Sequence, residues 1–270
     1  MTQSYLLDPG TWKNVCRKIR PETTLNIFLD FDGTLVPIRK RPSEAILSAD
    51  ARSVLRQLSE SVGTRVSIVT GRSLADIRSL VKLDTILFAS NHGLEIADNR
   101  SYWRHPDIDE CLPPLIQFRK QIQRKLRGVA GLSIEDKGIT FSVHYRGVNA
   151  RDIPGVKSVI AESLASFDHL IRITTGKKVI EARPSVPWNK GFAVQRILRM
   201  YPAGRSSAAL YAGDDQTDED AFAVLRSRAI TIRVGFDQSS RAAYYVDKPS
   251  DLIRAMKTIV TLRTNMIGET

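Results

Sequence analysis

A run of apolar residues that ends in two closely spaced aspartates limits what this chain of 270 residues can be. Residues 27–35 read IFLDFDGTL, so Asp30 and Asp32 follow a segment whose composition indicates a buried strand. Side chains at positions i and i+2 of an extended chain point to the same side, and two carboxylates so placed repel each other. A divalent metal ion relieves that repulsion, because hard cations take oxygen ligands. The alternative is a solvated turn that Gly33 permits.

The composition is that of a globular protein with a real core, with 42% hydrophobic and 26% charged residues. No apolar run reaches the length that a membrane-spanning helix needs, and residues 1–20 lack the apolar region of a secretory signal. Two distant cysteines, Cys16 and Cys111, indicate free thiols rather than a disulfide framework. We therefore expect a cytoplasmic protein with no membrane partner.

The formal net charge of +11 suits an anionic partner, either nucleic acid or a phosphorylated small molecule. The basic residues are spread along the whole chain, and no basic patch interleaved with aromatic residues is visible. A small phosphorylated substrate is therefore favoured over nucleic acid. The rival from another class is a basic nucleic-acid-binding protein on an enzyme scaffold that has lost its activity.

Strands and helices alternate along most of the chain, which predicts an α/β fold with a Rossmann-like, doubly wound parallel sheet. The predicted strands cover residues 25–30, 65–70, 85–90, 94–97, 208–212 and 229–233. Two predicted helices are given by their start, one at Pro42–Ser43 with Ser43 as N-cap and one at about Lys190. Three more cover residues 73–81, 217–226 and 249–262. The first of these helices should bury one face, formed by Leu47, Ala51, Val54, Leu55, Leu58 and Val62.

Between residues 104 and 185 the pattern changes to two strands, a helix and two more strands. This order predicts a small antiparallel sheet covered by helices, and hence an inserted α+β cap domain at 104–185 within a core made of 1–103 and 186–270. Residues 1–20 carry no assignment. The predicted elements of the insert are a basic helix at 114–127 after a proline-rich turn, strands at 132–135 and 139–145, a helix at 152–166, and strands at 169–175 and 178–183.

Three further motifs carry residues that could act together with the aspartates of the DxDGT run. In SIVTGR a strand ends in Thr70, whose hydroxyl and neighbouring N–H groups could hold a phosphoryl oxygen. In WNKG, Lys190 stands at a predicted helix start, where it adds positive potential for an anion. Taken singly, the first is an ordinary strand end and the second a surface lysine.

The fourth motif, GDDQTDED, has five acids within seven residues where a strand runs into a helix. Some of these acids complement the helix N-terminus, but the number exceeds what a cap requires. Asp214, Asp215 and Asp218 therefore predict a second group of metal ligands. All four motifs follow strands, and α/β sheets bind ligands at the carboxyl ends of their strands.

In this order the four motifs resemble those of the haloacid dehalogenase superfamily of phosphatases, and the insert resembles its type 2 cap. The resemblance extends to one branch, the trehalose-6-phosphate phosphatases, through the runs EDKGITFSVHYR, GKKVIEARP, NKG, GDDQTDEDAF and NHG. It covers roughly residues 25–260. The departures are Thr70, where serine is commoner, and Asp136, where asparagine is commoner, and neither removes a needed function.

The resemblance implies Mg²⁺-dependent hydrolysis of trehalose 6-phosphate to trehalose and phosphate. Asp30 would attack phosphorus and become an aspartyl phosphate, while Asp32 would protonate the leaving sugar oxygen and then activate water. Thr70, Lys190 and Mg²⁺ would share the charge of the transferred phosphoryl group. The metal ion would be held by Asp30, the carbonyl of Asp32 and Asp214, with Asp215 or Asp218 in support.

The same resemblance places substrate-binding residues in the core and in the cap. Charged groups of both signs suit a sugar, although each one taken singly can also be a surface strand residue, and Arg146 and Glu181 could form a structural pair. His92, His105 and His169 are expected to be structural or exposed. The alternative substrate is another sugar phosphate, such as sucrose 6-phosphate, and a monomer is favoured. The assigned substrate-binding residues are Gly71, Arg72, Glu135, Lys137, His144, Arg146, Lys177 and Glu181.

Overall fold

A computed structural model describes residues 3–20, 23–39, 41–167, 169–176, 178–202, 206–226 and 228–264. The chain divides into two compact units, the first made of Met1–Trp103 and Trp188–Thr270 and the second of Arg104–Pro187. Among the described residues, every helix is too short or too polar to traverse a bilayer.

The strands are, in chain order, β1 (Ser4–Tyr5), β2 (Thr24–Leu29), β3 (Thr64–Val69), β4 (Leu87–Ser90), β5 (Glu95–Ala97), β6 (Tyr102–Arg104), β7 (Ser133–Asp136), β8 (Phe141–His144), β9 (Ile171–Gly176), β10 (Val179–Pro184), β11 (Ser207–Gly213), β12 (Ile230–Val234) and β13 (Tyr244–Val246). The helices are α1 (Pro9–Cys16), α2 (Ala49–Glu60), α3 (Leu74–Val81), α4 (Ile108–Lys125), α5 (Ile153–Leu164), α6 (Lys190–Met200), α7 (Asp218–Leu225) and α8 (Pro249–Thr264).

The first unit is built on a sheet with the strand order β1-β13-β12-β11-β2-β3-β4-β5-β6. Neighbouring strands are parallel from β1 to β4, and β5 runs antiparallel to β4. In the register, Leu29 of β2 lies opposite Ala212 of β11 and Ile68 of β3. The carboxyl ends of these three central strands are therefore level with one another, and the predicted α/β fold with a parallel sheet is confirmed.

Alternate residues of β2 enter two different cores, which explains why the strand reads as a continuous apolar run. Ile27 and Leu29 pack in a cluster that includes residues of α2, α3 and α8. Phe28 packs on the other face of the sheet with residues of α6 and α7. Helices thus cover both faces, as the prediction of a doubly wound sheet requires.

The second unit is a four-stranded antiparallel sheet with the order β7-β8-β10-β9, and its core includes residues of α4 and α5. Ile134, Val143 and Ile180 lie in register and belong to this core. The adjacent register row consists of Glu135, Ser142, Glu181 and Thr174, whose side chains point to the opposite face because successive residues of a strand alternate. One face of this sheet is therefore apolar and the other polar.

The helix predicted to begin at Ser43 begins later. Residues 42–44 form a single 3₁₀ turn, and α2 starts after Ser48, whose hydroxyl accepts a hydrogen bond from the N–H of Ala51 at 3.1 Å. Both serines fit the N-cap preference. The helix starts after Ser48, and this start places Ala51, Val54, Leu55 and Leu58 on the buried face. Val62 lies beyond the end of α2 and is exposed, so its predicted place on the buried face was wrong.

The basic helix predicted from residue 114 starts earlier, at Ile108, and contains Pro113 and Pro114. A proline inside a helix removes one hydrogen bond and crowds the carbonyl four residues earlier. The helix continues through the prolines because Ile108, Cys111, Leu115, Phe118 and Ile122, spaced by three and four residues, are all buried.

Residues 3–20, which the sequence left unassigned, belong to the first unit. Strand β1 extends the sheet parallel to β13, and α1 follows it. Leu6, Val15 and Ile19 are fully or almost fully buried in the main core. This segment is therefore part of the folded unit rather than a loose extension.

Candidate active site

The ends of the three central strands bring the predicted catalytic residues to one place. Asp30 directly follows β2, Thr70 follows β3, Asp214 follows β11, and Lys190 is the first residue of α6. Asn189 caps this helix by accepting a hydrogen bond from the N–H of Phe192 at 3.0 Å. The strand register and one helix cap thus fix the backbone positions from which these side chains extend.

Lys190 lies at the centre of the group and is only 2% exposed. Its Nζ donates to Asp30 Oδ1 at 2.9 Å and to Asp218 Oδ1 at 2.8 Å, and it is 3.9 Å from Asp215 Oδ1. The sequence had left open whether Lys190 is a solvated surface lysine. Its burial between two carboxylates excludes that interpretation.

Asp218 is fully buried and receives hydrogen bonds on both of its carboxylate oxygens. Besides Lys190, the hydroxyl of Tyr211 donates to Oδ1 at 2.7 Å. The backbone N–H groups of Asp214 and Asp215 donate to Oδ2 at 3.0 and 3.1 Å. Because these donors occupy both oxygens, the side chain holds the turn after β11 in shape.

The charges in this group shift one another's pKa values. Burial raises the pKa of Asp30 well above its usual value, the neighbouring acids Asp218, Asp214 and Asp215 raise it further, and Lys190 opposes the shift. Burial, followed by the charges of Asp218 and Asp215, raises the pKa of Asp214 to about 7. Burial alone would lower the pKa of Lys190, but Asp218 and Asp30 raise it well above its usual value, so this lysine stays charged. At Asp30 and Asp214, burial and the neighbouring acids thus outweigh the attraction of the one ammonium group.

Asp215 differs from its neighbours because half of its side chain is exposed. Its Oδ1 accepts hydrogen bonds from the N–H and hydroxyl of Thr217 at 2.8 and 2.7 Å and from the N–H of Asp218 at 3.2 Å. Burial would raise the pKa of Asp215, but Lys190 and the Thr217 hydroxyl lower it below its usual value. This carboxylate caps the start of α7, as the alternative interpretation of the acidic run allowed for some of the acids.

Two glycines let the acidic turns approach each other. Gly33 has a φ of +87°, and a Cβ there would lie 2.1 Å from Asp214 Oδ2. A Cβ on Gly213 would lie 2.2 Å from Asp218 Cγ. Thr34, next to Gly33, donates from its hydroxyl to Asp214 Oδ1 at 3.2 Å. The glycine of the DxDGT run is therefore needed for contact with the fourth motif as well as for its own turn.

Asp32 is held by Arg72 through two hydrogen bonds. The guanidinium donates to Asp32 Oδ2 at 2.6 Å and to Oδ1 at 2.7 Å, and a third bond of 2.6 Å reaches Asp76 Oδ2. Arg72 is 7% exposed, and its guanidinium carbon lies 5.3 Å from the ring centre of Phe31. The sequence assigned Arg72 to substrate binding and did not link it to Asp32, because a contact across 40 positions leaves no local signal.

Thr70 and Gly71 form a turn that a second loop supports. Thr70 is buried, and its hydroxyl accepts a hydrogen bond from the N–H of Arg72 at 3.2 Å. The N–H of His92 donates to the carbonyl of Thr70 at 2.8 Å, and the N–H of Asn91 donates to the carbonyl of Arg72 at 2.8 Å. His92, which was expected to be structural or exposed, thus lies against the motif around Thr70.

The carboxylates suit a hard divalent cation. Asp30, Asp214 and Asp218 each offer one oxygen, and these oxygens all lie within 4.8 Å of one another. Burial, together with the neighbouring acids, raises the pKa values of Asp30 and Asp214, and a cation bound between them would favour the carboxylate form of both. Oxygen donors in this number are what Mg²⁺ and similar ions take.

The polar face of the second unit's sheet carries two pairs of polar side chains. His144 Nε2 lies 2.8 Å from Glu135 Oε2, and Lys137 Nζ donates to Glu181 Oε1 at 3.0 Å. Arg146, two residues beyond β8, is exposed. The structure therefore groups four of the assigned substrate residues into two pairs, one between β7 and β8 and one between the residue after β7 and β10. Lys177 lies outside the described residues.

Comparison with known proteins assigns the chain to a family. A sequence model of the family described as trehalose-phosphatase matches residues 28–250. The chain belongs to the trehalose-phosphatase family. Trehalose-phosphate phosphatase B of Arabidopsis thaliana is 31% identical to it over 257 residues, which cover 90% of this chain and 68% of that protein. The family resemblance drawn from the motifs is therefore confirmed.

Solved structures agree with this assignment. A trehalose-6-phosphate phosphatase related protein has a TM-score of 0.79 and 30% identity, and the match covers 89% of this chain and 99% of that one. A haloacid dehalogenase-like hydrolase from Bacteroides thetaiotaomicron shares the fold, with a TM-score of 0.61, 17% identity and coverage of 88% and 100%. The trehalose-phosphatase family is a family of phosphoric monoester hydrolases, so the prediction of a phosphatase is also confirmed.

Proposed function

We propose that this member of the trehalose-phosphatase family is a Mg²⁺-dependent enzyme that hydrolyses trehalose 6-phosphate to trehalose and inorganic phosphate. The observation that carries the proposal is the buried carboxylate of Asp30, bonded to Lys190 at 2.9 Å beside Asp214 and Asp218. Phosphoryl transfer depends mainly on positioning and on positive charge around the transferred group. A fixed, buried carboxylate among cationic and metal-binding groups meets both requirements.

In the first step a carboxylate oxygen of Asp30 attacks phosphorus. A bond forms between this oxygen and phosphorus, the bond between phosphorus and the sugar oxygen breaks, and Asp32 gives its proton to the leaving sugar oxygen. Lys190 and the Thr70 hydroxyl hold the phosphoryl oxygens while the charge shifts. The product of this step is an aspartyl phosphate on Asp30.

In the second step Asp32 takes a proton from water, which then attacks phosphorus and releases phosphate from Asp30. The bidentate contact with Arg72 fixes the orientation of the Asp32 carboxyl group, which both steps need. We therefore assign Arg72 to positioning Asp32, beside its predicted place among the substrate residues.

The metal ion would be held by Asp30, the backbone carbonyl of Asp32 and Asp214, with Asp218 and Asp215 supporting the turn that carries Asp214. When bound, it would supply the positive charge that the carboxylates lack and offset the charge of the phosphoryl oxygens. Asp218 has donors on both oxygens, so we place it behind the ligands rather than among them.

We propose that the second unit acts as the specificity cap and binds the sugar through Glu135, His144, Lys137 and Glu181. Both pairs combine a donor with an acceptor, and the hydroxyls of a sugar both donate and accept hydrogen bonds. A substrate without the matching hydroxyls would leave these groups unpaired, and such a loss discriminates strongly between substrates. Arg146 and Lys177 remain predicted members of this set, and the cytoplasmic location stays a prediction.

The experiment measures phosphate release from trehalose 6-phosphate, sucrose 6-phosphate, glucose 6-phosphate and mannose 6-phosphate, with Mg²⁺ and with a chelator. Asp30→Asn serves as the inactive variant and Asp247→Asn, an exposed surface change, as its control. We expect selective hydrolysis of trehalose 6-phosphate that disappears with the chelator and in Asp30→Asn. Preference for another ester would contradict the substrate, and full activity of Asp30→Asn would contradict the mechanism.

A further inference from the structure

Residues 91–93 form a turn in which every residue has a left-handed backbone. The φ angles are +49° for Asn91, +59° for His92 and +85° for Gly93. Two successive residues other than glycine in this region are uncommon, and such conformations persist only where the surroundings hold them. They concentrate at functional sites, so the contacts of this turn are informative.

The turn is fixed from two sides. The side chain of Asn91 donates to Glu95 Oε2 at 2.8 Å, and the indole N–H of Trp188 donates to the carbonyl of Gly93 at 2.9 Å. A Cβ on Gly93 would lie 2.1 Å from the Cβ of Ala193 in α6, so only glycine fits there. Trp188 precedes Lys190 by two residues, and Ala193 follows it in α6. The turn therefore contacts the segment of the chain that carries the catalytic lysine.

The imidazole of His92 lies directly on Gly71. A Cβ placed on Gly71 would be 2.8 Å from both Cε1 and Nε2 of the ring. The N–H of His92 also holds the carbonyl of Thr70. His92 therefore contacts the motif of Thr70 through both its ring and its backbone.

We propose that His92 is a positioning residue for the phosphoryl group, whose imidazole forms the wall of the phosphate site at Gly71 while its backbone holds Thr70. This rests on the proposed phosphatase function, because it assigns the phosphoryl group to Thr70 and Lys190. The ring limits the space beside Gly71 and excludes water from the transferred group. Its role does not depend on the sugar, since it acts on the part that all phosphate esters share.

The test compares His92→Asn with wild type and with His169→Asn, which changes an exposed histidine of the second unit. Asparagine tolerates the left-handed backbone, so His92→Asn removes the ring and keeps the turn. Binding of inorganic phosphate in the presence of Mg²⁺ is measured by calorimetry, together with KM and kcat for trehalose 6-phosphate and for p-nitrophenyl phosphate.

We expect His92→Asn to weaken phosphate binding by about tenfold and to raise KM for both esters by a similar factor. A purely structural role would lower the melting temperature and leave these constants unchanged. Unchanged phosphate binding and KM in folded His92→Asn would overturn the proposal. The phosphate measurement needs no turnover, so it still decides the role of His92 if wild type hydrolyses neither ester, a result that counts against the proposed function alone.

A second variant, Gly71→Ala, tests the same contact from the other side. The added methyl group must displace the ring of His92, so we expect a similar weakening of phosphate binding. Because both changes disturb one wall, the double variant Gly71→Ala/His92→Asn should be clearly less impaired than the product of the single effects. Effects that multiply without coupling would show that the ring and Gly71 act independently, which the proposal does not allow.

Discussion

The two units hold their charged side chains in different ways. In the first, Lys190 is 2% exposed and bonds to Asp30 and Asp218 together, while Asp218 receives hydrogen bonds on both oxygens. In the second, Lys137 contacts Glu181, with side chains 13% and 11% exposed, and His144 contacts Glu135, with side chains 28% and 35% exposed. Lys190, Asp30 and Asp218 are thus more deeply buried than the members of these two pairs.

The difference suits two tasks. Moving a charge in the buried network leaves another charge unpaired at low dielectric, so the geometry is fixed before a substrate arrives. Such preorganisation serves a reaction that every phosphate ester undergoes in the same way. Less deeply buried groups change partners at a lower cost, so they can turn to the hydroxyls of a sugar. We therefore assign rate to the first region and choice of substrate to the second.

The largest expected effect is that of Lys190→Met. It removes the cation between two buried carboxylates, so kcat should fall by about 10³-fold for every ester, and the free energy of unfolding should drop by about 3–5 kcal/mol. Steady-state kinetics on two esters and urea unfolding measure both. Lys120→Met, an exposed change on α4, is the control. Loss of activity on one ester alone would break the assignment of Lys190 to the common chemistry.

Glu181→Gln should act mainly on the sugar. It replaces the carboxylate that Lys137 contacts at 3.0 Å by a neutral amide, and we expect kcat/KM for trehalose 6-phosphate to fall by about a hundredfold while kcat/KM for p-nitrophenyl phosphate hardly changes. Glu162→Gln, on the exposed side of α5, is the matched control. An equal loss on both esters would show that the second unit affects the chemistry and not only the choice of substrate.

Arg72→Lys should give a smaller loss, because lysine keeps the charge but cannot form both bonds to Asp32. We expect kcat to fall by about thirtyfold with KM little changed, since Asp32 is no longer oriented. The exposed Arg78→Lys on α3 controls for the substitution itself. A rise in KM at constant kcat would instead favour the predicted role of Arg72 in substrate binding.

Metal binding should depend on pH because Asp214 has a pKa raised to about 7, chiefly by burial and then by Asp218 and Asp215. The folded, metal-free protein keeps a proton there that the unfolded chain releases near its ordinary pKa of about 3.9, so its stability falls as pH rises towards and through 7. Mg²⁺ binds the deprotonated form, so its affinity should weaken by up to about tenfold per pH unit below 7.

Calorimetric titration of Mg²⁺ at pH 6, 7 and 8 checks this dependence. The rise in melting temperature on adding Mg²⁺ should be greater at pH 8 than at pH 6. Asp214→Asn, which carries no titratable group, should bind Mg²⁺ weakly at every pH. A wild-type affinity that does not change between pH 6 and 8 would contradict the coupling between proton and metal.

Much of the fold and of the core site follows from local sequence. The period of the apolar residues predicts the central strands, and motifs at strand ends meet because parallel strands end at the same edge of a sheet. The sequence did not predict strands β1 and β13, because each is short and is defined by its pairing with strands that are distant in sequence. The sequence placed the start of α4 too late, because its two prolines disfavour a helix locally. The buried residues of α4 stabilise the helix in spite of them.

The missed parts of the site are long-range contacts of ordinary residues. Tyr211 reads as an apolar strand residue, yet its hydroxyl donates to Asp218. The position of Tyr211 two residues before the GDD run was the only available signal for its role. His92 was missed because no cluster of metal-ligating or acidic residues surrounds it in the sequence. Its contact with Gly71 depends on the left-handed turn, which the sequence did not predict.

The most direct test of this division measures one quantity in two variants, the ratio of kcat/KM for trehalose 6-phosphate to kcat/KM for p-nitrophenyl phosphate. In Lys190→Met both constants should fall together, so the ratio should stay near the wild-type value. In Glu181→Gln the ratio should drop by at least about tenfold. If the ratio changes equally in both variants, the buried network and the polar sheet face do not divide rate from substrate choice, and the account is wrong.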